Sequence, residues 1–292
     1  MPVLSRFPRR TALCSALLLL AGGCASAGSL ASDPEQRDWI QLFDGRSLDG
    51  WTPKFAKHPL GVNFNNTFRV EDGLLKVRYD NWTGWDGQFG HLFYERPFTH
   101  YVIAAEYRFV GNQVTGAGQG LAWARRNNGL MLHAQSPETM ELEQSFPNSL
   151  EVQLLGGLGD GARSTANLCT PGTVVVMNGQ LHTPHCTNSD SPTFDGDQWV
   201  RVEVLLLGDS VVKHIVHGDT VMEYTKPQLG EVRRGETPQT TPLTGGYITI
   251  QAETAEIDFR KIEVLDLEGC MDPQARNYRS YFVKSNPARC SY

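Results

Sequence analysis

The sequence predicts an all-β sandwich of the jelly-roll kind, and three observations support that fold class. About a dozen short segments alternate apolar and polar side chains, as half-buried strands do. Turn dipeptides such as Asp72-Gly73 and Asn178-Gly179 separate several of them. The sequence contains neither an amphipathic helix of normal length nor an internal repeat. One large β domain therefore accounts for most of the chain.

The first half of the chain contains short strands joined by glycine-rich turns. They are predicted at residues 40 to 43, 68 to 71, 74 to 79, 91 to 94 and 101 to 109. Because side chains alternate along a strand, the last of these places Tyr101, Ile103, Ala105, Tyr107 and Phe109 on one face. That face is expected to lie in the core.

The second half contains the remaining strands. They are predicted at residues 127 to 133, 150 to 155, 173 to 177, 199 to 207, 211 to 216, 220 to 224, 247 to 253 and 257 to 266. In the last strand the alternation breaks near Arg260, which indicates either a β-bulge or an inward-pointing arginine. An inward arginine would need an anionic or carbonyl partner, from substrate or from Glu151 or Glu203.

Length and composition fit a folded, exported protein. The chain has 292 residues, 40% of them hydrophobic and 10% aromatic, and a chain of this size buries roughly 75% of its unfolded surface. Residues 1 to 23 have the pattern of a lipoprotein signal peptide, with three arginines before an apolar run that is too short for the ~20 residues of a membrane span. Residues 21 to 24, Ala-Gly-Gly-Cys, resemble a lipobox, so Cys24 is the expected lipidation site. Simple secretion is the alternative.

These features predict a location in the cell envelope, anchored by lipid at the outer membrane or in the periplasm. Ala25 resembles an outer-membrane sorting residue, and residues 24 to 36 are predicted to be a tether. Removal of the leader takes away three arginines and no acids, which moves the net charge from −6 to −9. With no basic run, nucleic acid is excluded as a partner.

Four cysteines remain outside the leader, and in an exported protein an even number favours disulfides. The spacing predicts Cys169 with Cys186 and Cys270 with Cys290, each closing a loop worth ~3 kcal/mol. A zinc site is the rival interpretation, but the chain has no Cys-x-x-Cys pair. Residues 269 to 292 are thus predicted to form a disulfide-stapled tail after a domain at residues 37 to 268.

Two strands carry polar side chains on the face that alternates with the core. Glu151 and Gln153 alternate with Leu150, Val152 and Leu154. Gln251 and Glu253 similarly alternate with Ile248 and Ile250. On residues 127 to 133, alternation places His133 on the same face as Gly129 and Met131. We expect these polar faces to merge into one sugar-binding floor, although a solvated outer face would show the same pattern.

The chain resembles the 3-keto-disaccharide hydrolase domain family, also described as 3-keto-glucoside 1,2-lyases and 3-keto-2-hydroxyglucal hydratases. The resemblance is carried, in the family's order, by residues 42 to 51, 68 to 73, 105 to 108, 128 to 130, 150 to 154, 213 to 218, 246 to 251 and 259 to 262. It implies a concanavalin-like lectin/glucanase jelly-roll β-sandwich and action on 3-keto-glycosides. A divalent metal is the candidate cofactor that the resemblance suggests.

The chemistry implied by the resemblance needs one base, because a C3 ketone already acidifies the C2 hydrogen. A glycosidase mechanism that uses two carboxylates is less well supported, since residues 151 to 156 contain only one. We predict His133 or His214 as the base and Glu151 as its orienting partner or a metal ligand. The predicted substrate contacts are Asn128, Gln153, Gln251, Glu253 and Arg260.

The sequence therefore predicts an envelope lipoprotein that cleaves or hydrates 3-keto-glycosides. Three rival functions remain: a carbohydrate-binding module without catalysis, a glycosidase acting on unoxidised sugars, and a structural surface protein.

Overall fold

A computed structural model describes residues 35–111, 113–114, 121–230 and 239–292. The predicted leader, Cys24 and most of the predicted tether lie outside these residues. The described part forms one compact unit and contains no helix long and apolar enough to cross a membrane.

Two antiparallel sheets contain 18 of the 20 strands of the described residues. The eleven-stranded sheet has the order β11-β10-β15-β14-β13-β6-β18-β4-β3, with β1 beside β18 and β16 beside β15. Its strands are β1 (Trp39–Gln41), β3 (Phe68–Glu71), β4 (Leu74–Val77), β6 (His100–Phe109), β10 (Thr173–Met177), β11 (Gln180–His182), β13 (Val200–Leu207), β14 (Val211–Val216), β15 (Asp219–Leu229), β16 (Thr241–Pro242) and β18 (Ile257–Asp266).

The seven-stranded sheet has the order β12-β9-β8-β7-β17-β5-β2. Its strands are β2 (Trp51–Phe55), β5 (Gly90–Tyr94), β7 (Asn127–Ala134), β8 (Leu150–Leu155), β9 (Asn167–Cys169), β12 (Cys186–Thr187) and β17 (Tyr247–Ala252). Four short 3-10 turns, at Phe64–Asn66, Ala122–Ala124, Pro137–Thr139 and Pro287–Arg289, are the helical elements of the described residues. The predicted all-β jelly-roll sandwich is confirmed.

The main core lies between the two sheets. From β6 it contains Tyr101, Ile103 and Tyr107, and from the seven-stranded sheet it contains residues such as Leu130 and Val152. These side chains are almost completely buried. Each fully buried large apolar side chain stabilises the fold by about 1.5–3 kcal/mol, so the apolar face of each strand holds the sheets together.

A second, smaller apolar cluster lies on the opposite face of the seven-stranded sheet. It consists of Phe93, Met131, Ala134 and Met140, and Phe146 packs against it. Met140 and Phe146 belong to the segment between β7 and β8. This segment covers part of the sheet face that carries the polar side chains, which we call the cleft face.

The predicted tight turns form as the sequence indicates. Asp72 and Gly73 both have positive φ, at 55° and 75°, and Asn178 and Gly179 do as well, at 51° and 74°. Two-residue hairpins need this conformation at both positions, and asparagine, aspartate and glycine tolerate it best. The dipeptides therefore fix the registers of β3 with β4 and of β10 with β11.

Both predicted disulfides are present. Cys169 of β9 lies directly opposite Cys186 of β12 and is bonded to it. Cys270 is bonded to Cys290. Beside this bond, β19 (Glu268–Gly269), just before the closed loop, pairs with β20 (Lys284–Ser285) within it. The tail contacts the start of the described chain, because Arg279 Nε donates to Asp38 Oδ2 at 2.6 Å.

Candidate functional site

A row of polar positions crosses the cleft face of the seven-stranded sheet. Adjacent strands place its members opposite one another, and in order they are Asn167, Gln153, Gly129, Gln251, His91 and Lys54. All six alternate with core residues on their own strands. The predicted merging of polar faces from residues 150 to 155 and 247 to 253 is therefore confirmed for Gln153 and Gln251.

Glu151 lies two residues along β8 from Gln153 and on the same face of the sheet. Its strand neighbours are Met131 and Cys169, and only 6% of the residue is exposed. Burial raises the pKa of Glu151 to about 8, and the nearby Gln251 amide partly opposes that shift. An uncharged carboxyl group is therefore favoured at neutral pH.

Glu253 follows the end of β17 and is only 4% exposed. Burial raises its pKa well above the usual range, and repulsion from Glu151 adds to the effect. Two carboxyl groups in one water-poor site cannot both ionise readily. They are expected to share protons, with Glu253 the more persistently protonated member.

The two carboxyl groups line a pocket of ≈ 340 Å³. Asn127 and Gln153 complete its polar floor. Its remaining lining is Trp123 and Phe146 together with Pro171, His185, Cys169 and Cys186. Trp123 is 53% exposed, so the pocket combines acid–base groups and amides with an open aromatic side chain, a composition typical of sugar sites.

Gly129 makes room for the two central polar groups. A Cβ atom at this position would lie 2.8 Å from Glu151 Oε1 and 3.1 Å from Gln251 Oε1. Both distances are shorter than ordinary contacts. The absence of a side chain at Gly129 therefore lets Glu151 and Gln251 converge above β7.

The expectation that His133 shares a face with Gly129 and Met131 is wrong. The pairing of β7 with β17 shifts register here, and His133 has a φ of 46°. This bulge turns the imidazole into the sandwich, 5.7 Å from the Tyr101 ring. Burial lowers the pKa of His133 to about 4.

The second predicted base, His214, also lies in the core between the sheets. Its Nδ1 lies 2.8 Å from the Ala166 carbonyl oxygen and its Nε2 lies 3.1 Å from the Tyr224 hydroxyl. Burial lowers its pKa to about 4. His214 is therefore a hydrogen-bonded core residue on the other side of the seven-stranded sheet from Glu151.

Two predicted substrate contacts are also placed elsewhere. Arg260 lies at a bulge in β18 and points outward, where its Nε donates to Glu106 Oε2 at 2.5 Å and its guanidinium stacks 4.6 Å over the Trp199 ring. Of the two interpretations of that strand, the bulge is thus correct. Asn128 alternates with Gly129 toward the interior, and its Nδ2 donates to the Gln251 carbonyl oxygen at 2.6 Å.

Sequence reasoning missed Trp123, Asn127 and His91. Asn127 and Trp123 stand at the start of β7 and just before it, where no strand pattern is yet established. His91 did carry a signal, because it alternates with the buried Leu92 and shares a face with Phe93. With no polar neighbour in sequence, that signal was too weak to assign chemistry.

The floor of the pocket suits an oxygen-seeking divalent cation. No group of three or more histidines, cysteines, aspartates or glutamates able to hold a metal occurs among the described residues. However, Glu253 Oε2, Asn127 Oδ1 and Gln251 Oε1 are buried without a hydrogen-bond partner in that part of the chain. Carboxylate and amide oxygens of this kind are ligands for hard cations, so the donor chemistry fits.

Residues 38–265 match the model of a family described as 3-keto-alpha-glucoside-1,2-lyase-like domain. A search of curated proteins finds no significant match. Similar solved structures include the following three.

The first is a candidate glycosyl hydrolase from Parabacteroides distasonis, 13% identical, covering 78% of this chain and 98% of its own at a TM-score of 0.46. A Bacillus subtilis protein of unknown function with a galectin-like fold is 12% identical over 78% of this chain and 94% of its own, at a TM-score of 0.48. LamAcat from Zobellia galactanivorans is 10% identical over 73% of this chain and 90% of its own, at 0.44.

Proposed function

The chain belongs to the 3-keto-alpha-glucoside-1,2-lyase-like domain family, and on that premise we propose that its cleft binds a 3-keto-glycoside and cleaves it by β-elimination. A carbohydrate-active function follows from the family. The finer assignment is supported chiefly by one observation: Glu151 and Glu253 lie buried together on the floor of the pocket, with raised pKa values.

The two carboxyl groups supply a base and an acid. In a 3-keto-glycoside the ketone makes the C2 hydrogen acidic, so an ionised Glu151 removes it and an enolate forms. The C1–O bond then breaks, and protonated Glu253 gives its proton to the departing oxygen, which leaves as an alcohol. The product is a sugar with a C1–C2 double bond conjugated to the ketone.

The pKa shifts suit the assignment of Glu151 as base and Glu253 as acid. A base works best when its pKa lies near the working pH, and positioned proton transfer contributes roughly 10²- to 10⁴-fold. Glu151, at about 8, meets that condition. Glu253 is held protonated more strongly by burial and by Glu151, which suits an acid. Addition of water at C1 would then complete net hydrolysis.

Amide groups stabilise the enolate in this proposal. Gln153 already accepts from Asn167 Nδ2 at 3.2 Å through its oxygen, so its amino group is available to donate. A single donor aimed at a developing oxyanion lowers the barrier by about 3 kcal/mol. A divalent cation held by the oxygens of Asn127, Gln251 and an ionised Glu253 would supply positive charge to the enolate oxygens, and Glu253 would then not serve as the acid.

Turnover can be followed directly. Purified protein is incubated with methyl 3-keto-α-glucoside, and the conjugated product is measured by its ultraviolet absorbance. Glu151→Gln should reduce the rate by roughly 10²-fold or more. The matched control is Glu223→Gln, which alters an exposed carboxylate paired with Lys213 and should leave the rate unchanged.

Two rival functions give different results in the same experiment. Sugar binding without turnover would favour a carbohydrate-binding module, which the exposed Trp123 would also suit. Hydrolysis of unoxidised methyl α-glucoside would favour a glycosidase, because Glu253 supplies the second carboxylate that the sequence of β8 lacks.

We propose the cell envelope as the site of action, with lipid attached at Cys24. The support is the leader pattern of residues 1 to 23 and the presence of two disulfides, which persist in oxidising compartments. Labelling with a radioactive fatty acid tests it. The wild type should be labelled and Cys24→Ser should not, whereas an unlabelled wild type would favour simple secretion.

A further inference from the structure

Next to Glu151, the cleft face contains two buried side chains whose polar atoms lack hydrogen bonds of normal geometry, although the Gln251 amide lies close enough to Glu151 to lower its pKa. His91 of β5 and Gln251 of β17 are directly opposite each other, and both are completely buried. Neither ring nitrogen of His91 and neither amide atom of Gln251 forms a hydrogen bond of normal geometry within the described residues.

This arrangement is costly unless something else supplies the hydrogen bonds. A buried donor or acceptor without a partner carries its full desolvation penalty, and such groups are uncommon in folded proteins. The other members of the polar row are satisfied. Lys54 Nζ donates to the carbonyl oxygens of Phe55, His58 and Leu142 at 2.9, 3.2 and 3.4 Å, and Asn167 bonds to Gln153.

Phe146 covers His91. Its ring meets the imidazole edge-on, with centroids 5.8 Å apart, and lies 4.7 Å from the Phe89 ring. The backbone of Phe146 is held, because Gln144 Nε2 donates to its carbonyl oxygen at 2.8 Å. The Phe146 side chain also lines the pocket that contains Glu151. Phe146 therefore contacts both His91 and the pocket.

We propose that His91 and Gln251 form a sugar-hydroxyl subsite that opens when the Phe146 ring turns, and that it binds two hydroxyl groups of the sugar held at Glu151, such as those at C4 and C6, which a 3-keto-glucoside retains. The proposal rests on the function proposed above for the neighbouring carboxyl groups. It adds a binding residue, His91, to that site.

The chemistry of the two side chains selects the ligand class. Burial and the neighbouring Lys54 lower the pKa of His91 to about 3, so the imidazole is neutral and presents one donor and one acceptor. The Gln251 amide also presents donors and an acceptor. Sugar hydroxyl groups, each of which donates and accepts, match this set. A carboxylate or phosphate would find no free cationic donor there, because the hydrogens of the Lys54 ammonium are directed to backbone carbonyls.

Binding of unoxidised methyl α-glucoside tests the subsite without requiring turnover. His91→Leu should weaken its affinity in calorimetry by roughly tenfold, the effect of one or two lost hydrogen bonds. His91→Gln, which keeps a donor and an acceptor, should retain most of the affinity. The control His217→Asn changes an exposed hairpin turn and should not affect binding.

The melting temperature separates binding from a structural role. If His91 serves a ligand, His91→Leu removes two unsatisfied atoms, so the melting temperature should stay the same or rise. A lower melting temperature with unchanged affinity would show a structural histidine and overturn the proposal. A wild type that does not bind the probe would overturn it too.

A crystal structure with the same probe gives the second measurement. We expect sugar oxygens within hydrogen-bonding distance of His91 and Gln251, with the Phe146 ring turned away. Ordered water bound to His91 both with and without the sugar, under an unmoved Phe146, would overturn the proposal. Because the probe is not a keto sugar, failure of the elimination chemistry alone would leave these outcomes unaffected.

Discussion

Burial, more than ion pairing, sets the pKa values of the titratable residues in the cleft. The carboxyl groups of Glu151 and Glu253 and the imidazole of His91 all have pKa values shifted toward the neutral form by loss of water. In each case desolvation is the largest cause. Folding therefore carries a pH-dependent cost that surface residues of the same types do not impose.

The first prediction concerns this pH dependence. The pKa of Glu151 rises from an ordinary 4.5 to about 8 on folding, so between these values the folded state holds a proton that the unfolded state has lost. The free energy of unfolding should therefore fall as pH rises from about 5 to 8 and then level off. Glu253 acts in the same direction.

Urea denaturation across this pH range, with a chelator present to remove divalent cations, measures the effect. Glu151→Gln should flatten the dependence, while Glu223→Gln should leave it as in the wild type. A wild-type stability that rises between pH 5 and 8 would contradict the assignment of a buried, protonated Glu151.

The second prediction concerns Gly129. The added methyl group of Gly129→Ala would press on Glu151 and Gln251, at 2.8 and 3.1 Å. Overpacking of this kind typically costs about 1–3 kcal/mol of stability, and displacement of a catalytic group can cost up to about 10²-fold in rate. Turnover and urea denaturation of the variant measure both, and an unchanged rate would show that this convergence is not needed for catalysis.

Alternation predicted the cleft residues correctly wherever a strand is regular. Glu151, Gln153 and Gln251 lie where a period of two places them. His133 failed because its positive φ marks a bulge, which breaks the alternation of side chains along β7. The residue types at positions 127 to 133 do not by themselves announce that bulge. His214 failed for another reason: alternation places it between Val212 and Val216 on an apolar face, which favours a core residue, but the family resemblance made it a candidate base.

At the level of elements, short edge strands shape the pocket. β12 contains only Cys186 and Thr187 and pairs with β9, where Cys169 lies opposite Glu151. A strand that pairs over only two residues is held by few backbone hydrogen bonds. The Cys169–Cys186 bond therefore fixes a wall of the pocket, whereas Cys270–Cys290 fixes the tail.

The third prediction compares these disulfides. They close loops of similar length, with sequence separations of 17 and 20, so removal of either should cost a similar ~3 kcal/mol. The double variant C169A/C186A should also raise KM, because the wall formed by β12 is released. C270A/C290A serves as the matched control and should lower the melting temperature with little change in KM. Equal KM values for the two variants would contradict a role for the first disulfide in the pocket.

The predicted pairing of cysteines succeeded because hairpin signals and cysteine spacing constrain the same elements. The Asn178-Gly179 turn brings the segments on either side of it close together, as the sequence indicates. Cross-strand partners between distant segments were not predictable in this way. The adjacency of β8, β7, β17 and β5, which creates the polar row, depends on packing between residues far apart in sequence.

Across the whole molecule, the polar faces of the two sheets differ in whether their polar side chains are paired with one another. On the outer face of the eleven-stranded sheet, Arg201 bridges Glu106, Glu203 and Glu263 at 3.2, 2.7 and 3.4 Å. On the cleft face, polar atoms of His91, Gln251 and Glu253 have no partner within the described chain. Charges that are mutually satisfied stabilise a surface, while unsatisfied polar groups are retained where a ligand completes them. This contrast supports placing the proposed site on the seven-stranded sheet.

The fourth prediction concerns the satisfied charges of the outer face. Arg201→Met removes the central cation of the outer network and leaves Glu263, whose side chain is only 4% exposed, without one of its partners. Because Lys261 still pairs with Glu263 at 3.0 Å, the loss of stability should be about 1–3 kcal/mol, less than for a fully abandoned buried charge. Urea denaturation measures this loss, and kcat/KM on methyl 3-keto-α-glucoside should remain at the wild-type value, since the core separates Arg201 from the pocket. Glu151→Gln should show the opposite pattern, with the rate lost and the stability retained. If Arg201→Met lowered the rate as well, the outer face would have to be included in the functional site and the division between the two sheets would fail.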